Sequence, residues 1–128
     1  MDVQRVFSGA PWEARVGYCR AIRAGHTIAV TGTVALDVDG TPYAIDDPYR
    51  QALRCLEIIE KALKELGAER RHIIRTRLFV TKISLWEQFG RAHGEFFDDH
   101  PPATSMLEVN ALIGPQFLIE IEADAIVG

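Results

Sequence analysis

Three carboxylates fall two residues apart in the last apolar stretch of the chain: Glu120, Glu122 and Asp124, interleaved with Ile119, Ile121, Ala123 and Ala125. In an extended strand this alternation puts the acids on one face at about 7 Å intervals and the apolar residues on the other. Three such acids cannot all be buried without partners. Arg75 and Arg77, two residues apart in an earlier β-patterned segment, are cations that could meet them through bidentate bonds across strands or subunits. A structural ion-pair ladder at an oligomer seam and acid–base work by one of the three are both open to this pattern.

The other chemistry-bearing residues are more scattered. His93 shares helical spacing with Trp86, Phe89, Phe96 and Phe97, and a lone histidine on an aromatic face serves packing more often than catalysis. No two histidines stand at i, i+4 and no His/Cys/carboxylate group has ligand spacing, so no metal is expected. Thr104 and Ser105 lack a G-x-S-x-G context, and no Gly-rich phosphate loop follows a strand. Cys19 and Cys55 are too far apart for C-x-x-C chemistry and read as reduced, structural thiols. Tyr18, just after Gly17, is placed either to wall a ligand or to pack.

The elements that must position these groups follow from periodicity and turn residues. Val3 to Ser8 reads as a strand and Gly9 to Arg15 as an irregular segment around Pro11. Tyr18 to Arg23 and Thr27 to Ala35 read as strands joined at Ala24-Gly25, with a further turn at Asp37–Gly40 that Gly40 closes. Asp46 or Asp47 is an N-cap for a helix, Pro48 suits its first turn, and Gly67 ends it. Ala52, Cys55, Leu56, Ile59, Leu63 and Leu66 form its buried stripe. Ile73 to Lys82 has period two, with Ile74, Thr76, Leu78 and Val80 on one face. Ser84 is expected to cap the aromatic helix, which Asp98–Pro102 breaks, and Thr104 to Leu112 and Phe117 to Ile126 read as the last two strands.

This order implies one α+β domain over residues 1–128: a two-layer, mixed six-stranded sheet with two helices on one face and the other face uncovered. An uncovered face with mixed apolar and charged groups calls for a symmetric oligomer. The 128 residues carry a formal net charge of -4, which argues against a nucleic-acid partner. No stretch is long and apolar enough for a membrane span, and the first residues lack a secretion signal, so the expected location is cytoplasmic.

Several segments together resemble the RidA family, also called YjgF, or endoribonuclease L-PSP and reactive imine deaminase. They are Val16-Gly-Tyr18, Val30-Thr-Gly-Thr33 before the Asp37–Gly40 turn, Gln51, Ile74 to Val80, Phe96-Phe97, and above all Pro102-Ala-Thr-Ser-Met-Leu-Glu-Val109 followed by Ile119-Glu-Ile-Glu-Ala123. The resemblance implies a chorismate-mutase-like fold and a homotrimer that binds small molecules in clefts between subunits. It also implies that Glu120 positions or activates a water that attacks an imine carbon, with Tyr18 as a wall and Thr31 and Met106 among the ligand contacts. Active deaminases of the family have an arginine at the position of Thr104, which clamps a substrate carboxylate. Here a short neutral hydroxyl replaces it, so an altered ligand is expected; by their neighbourhood in the sequence, Arg20 and Arg91 are candidates for the replacement clamp and His93 for a second acid–base group. Three functions follow as expectations: a cofactor-free imine or enamine hydrolase, a non-catalytic metabolite-binding trimer, and, third, the ribonuclease of the family's older name.

Overall fold

The structure, a computed structural model, describes residues Met1–Gly128. Six strands form one mixed sheet in the order β1-β2-β3-β6-β4-β5. They are β1 (Val3–Val6), β2 (Ala21–Ala24), β3 (Thr27–Val34), β4 (Ile73–Val80), β5 (Ala103–Glu108) and β6 (Ile119–Ile126). All neighbours are antiparallel except β4 and β5, which run parallel. The crossover between those two is α3 (Trp86–Phe97), which packs beside the long helix α2 (Pro48–Glu65). No helix is long and apolar enough to cross a membrane.

The long helix forms where its stripe predicts. Asp47 accepts the Arg50 N–H at 3.0 Å as N-cap, Pro48 opens the first turn, and Ala52, Cys55, Leu56, Ile59 and Leu63 are all buried. They meet the inward faces of β3, β4 and β6, where Ile28, Val30, Leu78, Val80, Ile119, Ile121, Ala123 and Ala125 complete the core with Phe89, Phe96 and Phe97. Gln51, fully buried at the start of α2, donates to the carbonyls of Ala44 and Gln116 and accepts the Leu118 N–H at 2.9 Å. One side chain thereby pins the segment that leads into β6.

Several local expectations need correction. Residues 9–15 are not irregular throughout: a short helix, α1 (Pro11–Val16), forms there, opened by Pro11 and ended by Gly17 at φ 90°. Tyr18, Cys19 and Arg20 precede β2 rather than belonging to it, and the β2–β3 turn is Gly25-His26, one residue later than expected. In β4 a bulge between Ile73 and Arg75 reverses the alternation at its start, so Ile73 is buried while Ile74 is exposed. Ser84 does not cap α3. It lies in a single 3-10 turn, Ile83–Leu85, and Leu85 holds the N-cap position. Trp86, expected on the buried face of α3, is 54% exposed. The last two strands are shorter than read, with an irregular segment over residues 109–118.

The face of the sheet away from α2 and α3 carries Glu120, Glu122, Asp124 and Ile126 from β6, Arg75, Arg77 and Phe79 from β4, and Ser105 and Leu107 from β5, in matching register. No element of the chain packs over it. Leu107 and Ile126 are 46% and 47% exposed.

Candidate functional site

Glu120 is the second residue of β6, opposite Val34 on β3 and Phe79 on β4. Its side chain rises from the open face and lies against Gly32. A Cβ there would fall 2.9 Å from the Glu120 Cδ and 3.2 Å from its Cγ, and closer still to Oε2. Gly32 sits in a register shift of β3 between Val30 and Thr33, so the strand both bulges and leaves room for the carboxylate. Burial raises the Glu120 pKa above the usual carboxylate range; Glu122 adds to the rise and Arg20 opposes it.

Behind the bulge lies a buried ionic unit. Arg20 is 5% exposed and Glu13 4%. Arg20 Nε and Nη2 meet Glu13 Oε2 at 3.2 and 3.1 Å, while Nη1 donates to the Gly32 carbonyl at 2.9 Å and to the Thr33 hydroxyl at 3.1 Å. Glu13 also accepts the Ser8 N–H at 3.0 Å and the Ser8 hydroxyl. Helix α1 therefore reaches the Glu120 neighbourhood through its only buried side chain, Glu13. Glu120, Arg20, Tyr18 and Gly32 line one cleft of about 490 Å³, bounded by Trp12 and Phe7 on one side and the Asp37–Gly40 turn on another. Tyr18 lies under the Arg20 guanidinium, 5.7 Å from ring to Cζ.

A second polar cluster sits elsewhere on the chain. Thr76 of β4 is fully buried; its hydroxyl lies 2.7 Å from that of Thr104 on β5 and 2.8 Å from His93 Nε2 on α3. Thr104 is 3.3 Å from the same nitrogen. Burial pushes the His93 pKa down to about 4, so the imidazole is neutral at physiological pH; it lies against Phe97 with ring centroids 4.6 Å apart and planes tilted by 49°.

The site residues singled out in the sequence thus fall into separate groups. Glu120, Tyr18 and Arg20 share the cleft; His93 and Thr104 share the threonine cluster, and Met106 packs partly against the core. Thr31 does not line the cleft and spends its hydroxyl on the Cys19 carbonyl at 2.7 Å. Arg91 is on the outer side of α3, with its guanidinium 4.1 Å over the Tyr49 ring. Arg77 bridges Glu122 and Asp124 at 3.3 and 3.2 Å, whereas Arg75 pairs with neither. Cys55 is buried in α2, which raises its thiol pKa, and Cys19 is half-buried; both are free thiols. Reading the sequence did not assign roles to Glu13, Gly32 and Thr76. An isolated glycine inside a β-branched strand was a usable signal for Gly32; nothing marked Glu13 as buried.

Known proteins resemble this chain in sequence and fold. The endoribonuclease L-PSP family model matches residues 8–127. The uncharacterized protein SCO2049 of Streptomyces coelicolor is 37% identical over 96% of this chain and 91% of its own. The solved structure of Rv2704 from Mycobacterium tuberculosis, described as a member of the YjgF/YER057c/UK114 family, is 42% identical with a TM-score of 0.90, covering 98% of this chain and all of that one. At 24% identity and a TM-score of 0.79, covering 87% of this chain and 88% of that one, E. coli TdcF, solved with bound serine, shares the fold. With a matching profile over nearly its whole length, a mixed six-stranded sheet under two long helices and a relative above 40% identity, the chain belongs to the endoribonuclease L-PSP, or YjgF, family.

Proposed function

We propose that three copies of this chain close into a ring and that the protein is a cofactor-free hydrolase of reactive imines or enamines, with Glu120 handling the water. One observation carries the reading: a half-buried carboxylate in the cleft, its pKa raised mainly by burial. A carboxyl group tuned upward is a better base near neutral pH than an ordinary one. Glu120 would accept a proton from the water as its oxygen adds to the C=N carbon and would pass that proton to the nitrogen, regenerating the carboxylate. Collapse of the carbinolamine, with the hydroxyl proton moving to nitrogen as the C–N bond breaks, then releases the carbonyl compound and ammonia or the amine, so atoms and charge balance without a redox partner.

The open sheet face supports the ring. Phe79, Leu107 and Ile126 would be covered there, and the Arg77–Glu122–Asp124 ladder would lie at the seam. Association would also let the His93–Thr104 cluster of one copy approach the Glu120 cleft of the next, which the single chain keeps apart. The test is hydrolysis of an imine generated in situ by an amino-acid oxidase or amine oxidase. Glu120→Ala should abolish the acceleration and Glu120→Gln should reduce it; equal rates in parent and both variants would refute the assignment.

A second reading, a trimer that binds a small metabolite without turnover, is favoured by the threonine cluster. Thr104, Thr76 and neutral His93 offer hydrogen bonds but no charge. The serine in TdcF shows that this fold accommodates a small polar ligand in that protein. Ligands that raise the melting temperature and are recovered unchanged would select this reading. The ribonuclease reading ranks third, because the net charge is -4 and His93 has no second histidine beside it; RNA cleavage lost on Glu120→Ala would reinstate it.

A further inference from the structure

The cation that acts on Glu120, Arg20, is already committed to other partners. Every nitrogen of Arg20 is engaged: two by Glu13 and the third by the Gly32 carbonyl and the Thr33 hydroxyl. Both partners are almost fully buried, so the pair is a closed unit of zero net charge. A ligand carboxylate seeking a bidentate clamp would have to strip Arg20 from Glu13 and leave that acid buried and unpaired, the costly way to break such a pair. The other cations of the cleft lie on α2. Arg54 spends Nε on the Leu36 carbonyl at 2.7 Å and stands 3.8 Å from Glu57; Lys61 is exposed at the mouth. Against these stand Glu120, Asp37, Asp39 and Glu65. With Arg20 neutralised by Glu13, the lining carries these four carboxylates against two remaining cations.

The rest of the wall is apolar. Trp12, carried by α1, meets Phe117 edge-on with ring centroids 6.2 Å apart. Phe7, Val38 and Ile113 also line the cleft at 65%, 93% and 57% exposure, an apolar rim that a hydrophobic ligand body would cover. The same helix thus supplies the apolar wall through Trp12 and the neutralising acid through Glu13.

We infer that Glu13 is a specificity-determining residue: by neutralising Arg20 it makes the Glu120 cleft select uncharged or cationic ligands with an apolar body over carboxylates. This rests on the Glu120 cleft being the ligand site, as in the proposed function. It narrows the substrate class to imines of apolar amines or carbonyl compounds and disfavours 2-iminoacids. Glu13 acts through Arg20 and does not itself touch the ligand.

The test is direct binding of two probes that share a ring and differ in charge, benzamide and benzoate, by calorimetric titration of the full-length protein near neutral pH. Benzamide should bind the parent about tenfold tighter or more. Glu13→Gln releases the Arg20 charge and should move the ratio toward benzoate by about tenfold, while the melting curve shows that the fold persists. The double variant Glu13→Gln/Arg20→Met removes both charges together and should keep the parental ratio within about threefold. Equal or tighter benzoate binding in the parent, or no benzamide binding at millimolar concentration, overturns the inference. So does a benzamide preference that is unmoved in folded Glu13→Gln or lost in the double variant. A preference for benzamide without imine hydrolysis would sink the hydrolase and leave this inference standing; hydrolysis of 2-iminoacids together with tighter benzoate binding would do the reverse.

Discussion

Replacing Gly32 with alanine tests the placement of Glu120 without touching the carboxylate. The new methyl would lie 2.9 Å from Cδ and 3.2 Å from Cγ of Glu120, against an ordinary carbon–carbon separation of about 3.5 to 4.0 Å. One of the two must move by roughly an ångström. Gly32 does not have a positive φ, so alanine adds no backbone strain and the flexible glutamate yields. Stability should fall by about 1–2 kcal/mol, as for modest overpacking. Displacement of a reacting group by that distance should lower kcat/KM for imine hydrolysis by about 10²-fold. A substrate-free readout accompanies this: pushed from its niche, the carboxyl becomes better solvated, and its raised pKa should fall toward the ordinary glutamate value in a carbon-13 carboxyl titration. An unmoved pKa together with unchanged kcat/KM would refute the claim that Gly32 holds Glu120 in place.

Three further outcomes are expected. His93 titrates near 4 in the fold and near 6.5 when unfolded, so the unfolded chain takes up the proton first: its contribution is full above about pH 6.5 and is lost as pH falls toward 4. Between pH 7 and 5 this should cost about 2 kcal/mol in urea unfolding, and His93→Gln should flatten that slope; the raised Glu120 works with the opposite sign, so the comparison is made in a Glu120→Gln background. Gln51→Leu leaves the carbonyls of Ala44 and Gln116 and the Leu118 N–H without their partner and should destabilise by about 3 kcal/mol, read as a shifted urea midpoint. Leu107→Asp places a charge on the open face, and the sedimenting mass should drop from three times 14.3 kDa to one; a parent that already sediments as a monomer would refute the ring.

The parts of the fold that were legible in the sequence are those in which one face is buried over several repeats. The stripe from Ala52 to Leu66 and the Ile119–Ala125 alternation each repeat a simple period against a single core, so the apolar positions report the buried face directly. Legibility failed where one residue shifts the phase. In β4 the bulge moves the buried role from Ile74 to Ile73, and neighbouring isoleucines look alike in a pattern of apolar residues. At the start of α3 the intervening 3-10 turn puts Leu85, not Ser84, at the cap position. The parallel docking of β5 on β4 through the α3 crossover sends Thr104 toward His93 rather than toward Glu120, a separation that linear spacing does not disclose.

The least legible element, α1, bears most directly on ligand choice. Six residues are too few to show a helical period, and a glutamate two residues after a proline reads as a solvent-exposed charge by default. Its burial depends on Arg20 seven residues later, beyond the reach of any local pattern, and on the Gly32 carbonyl that arrives from another strand. A buried ion pair is weak evidence for stability, since an apolar pair of similar volume often serves as well. Its retention beside a cleft therefore calls for another reason. Here the pair holds the bulge carbonyl, positions the strand against which Glu120 rests and removes a positive charge from the cleft wall. An apolar pair could fill the space but could not donate to the Gly32 carbonyl and the Thr33 hydroxyl. A lone arginine could donate to both but would leave its charge exposed to a ligand carboxylate. Only the paired arrangement supplies the hydrogen bonds while keeping the wall neutral.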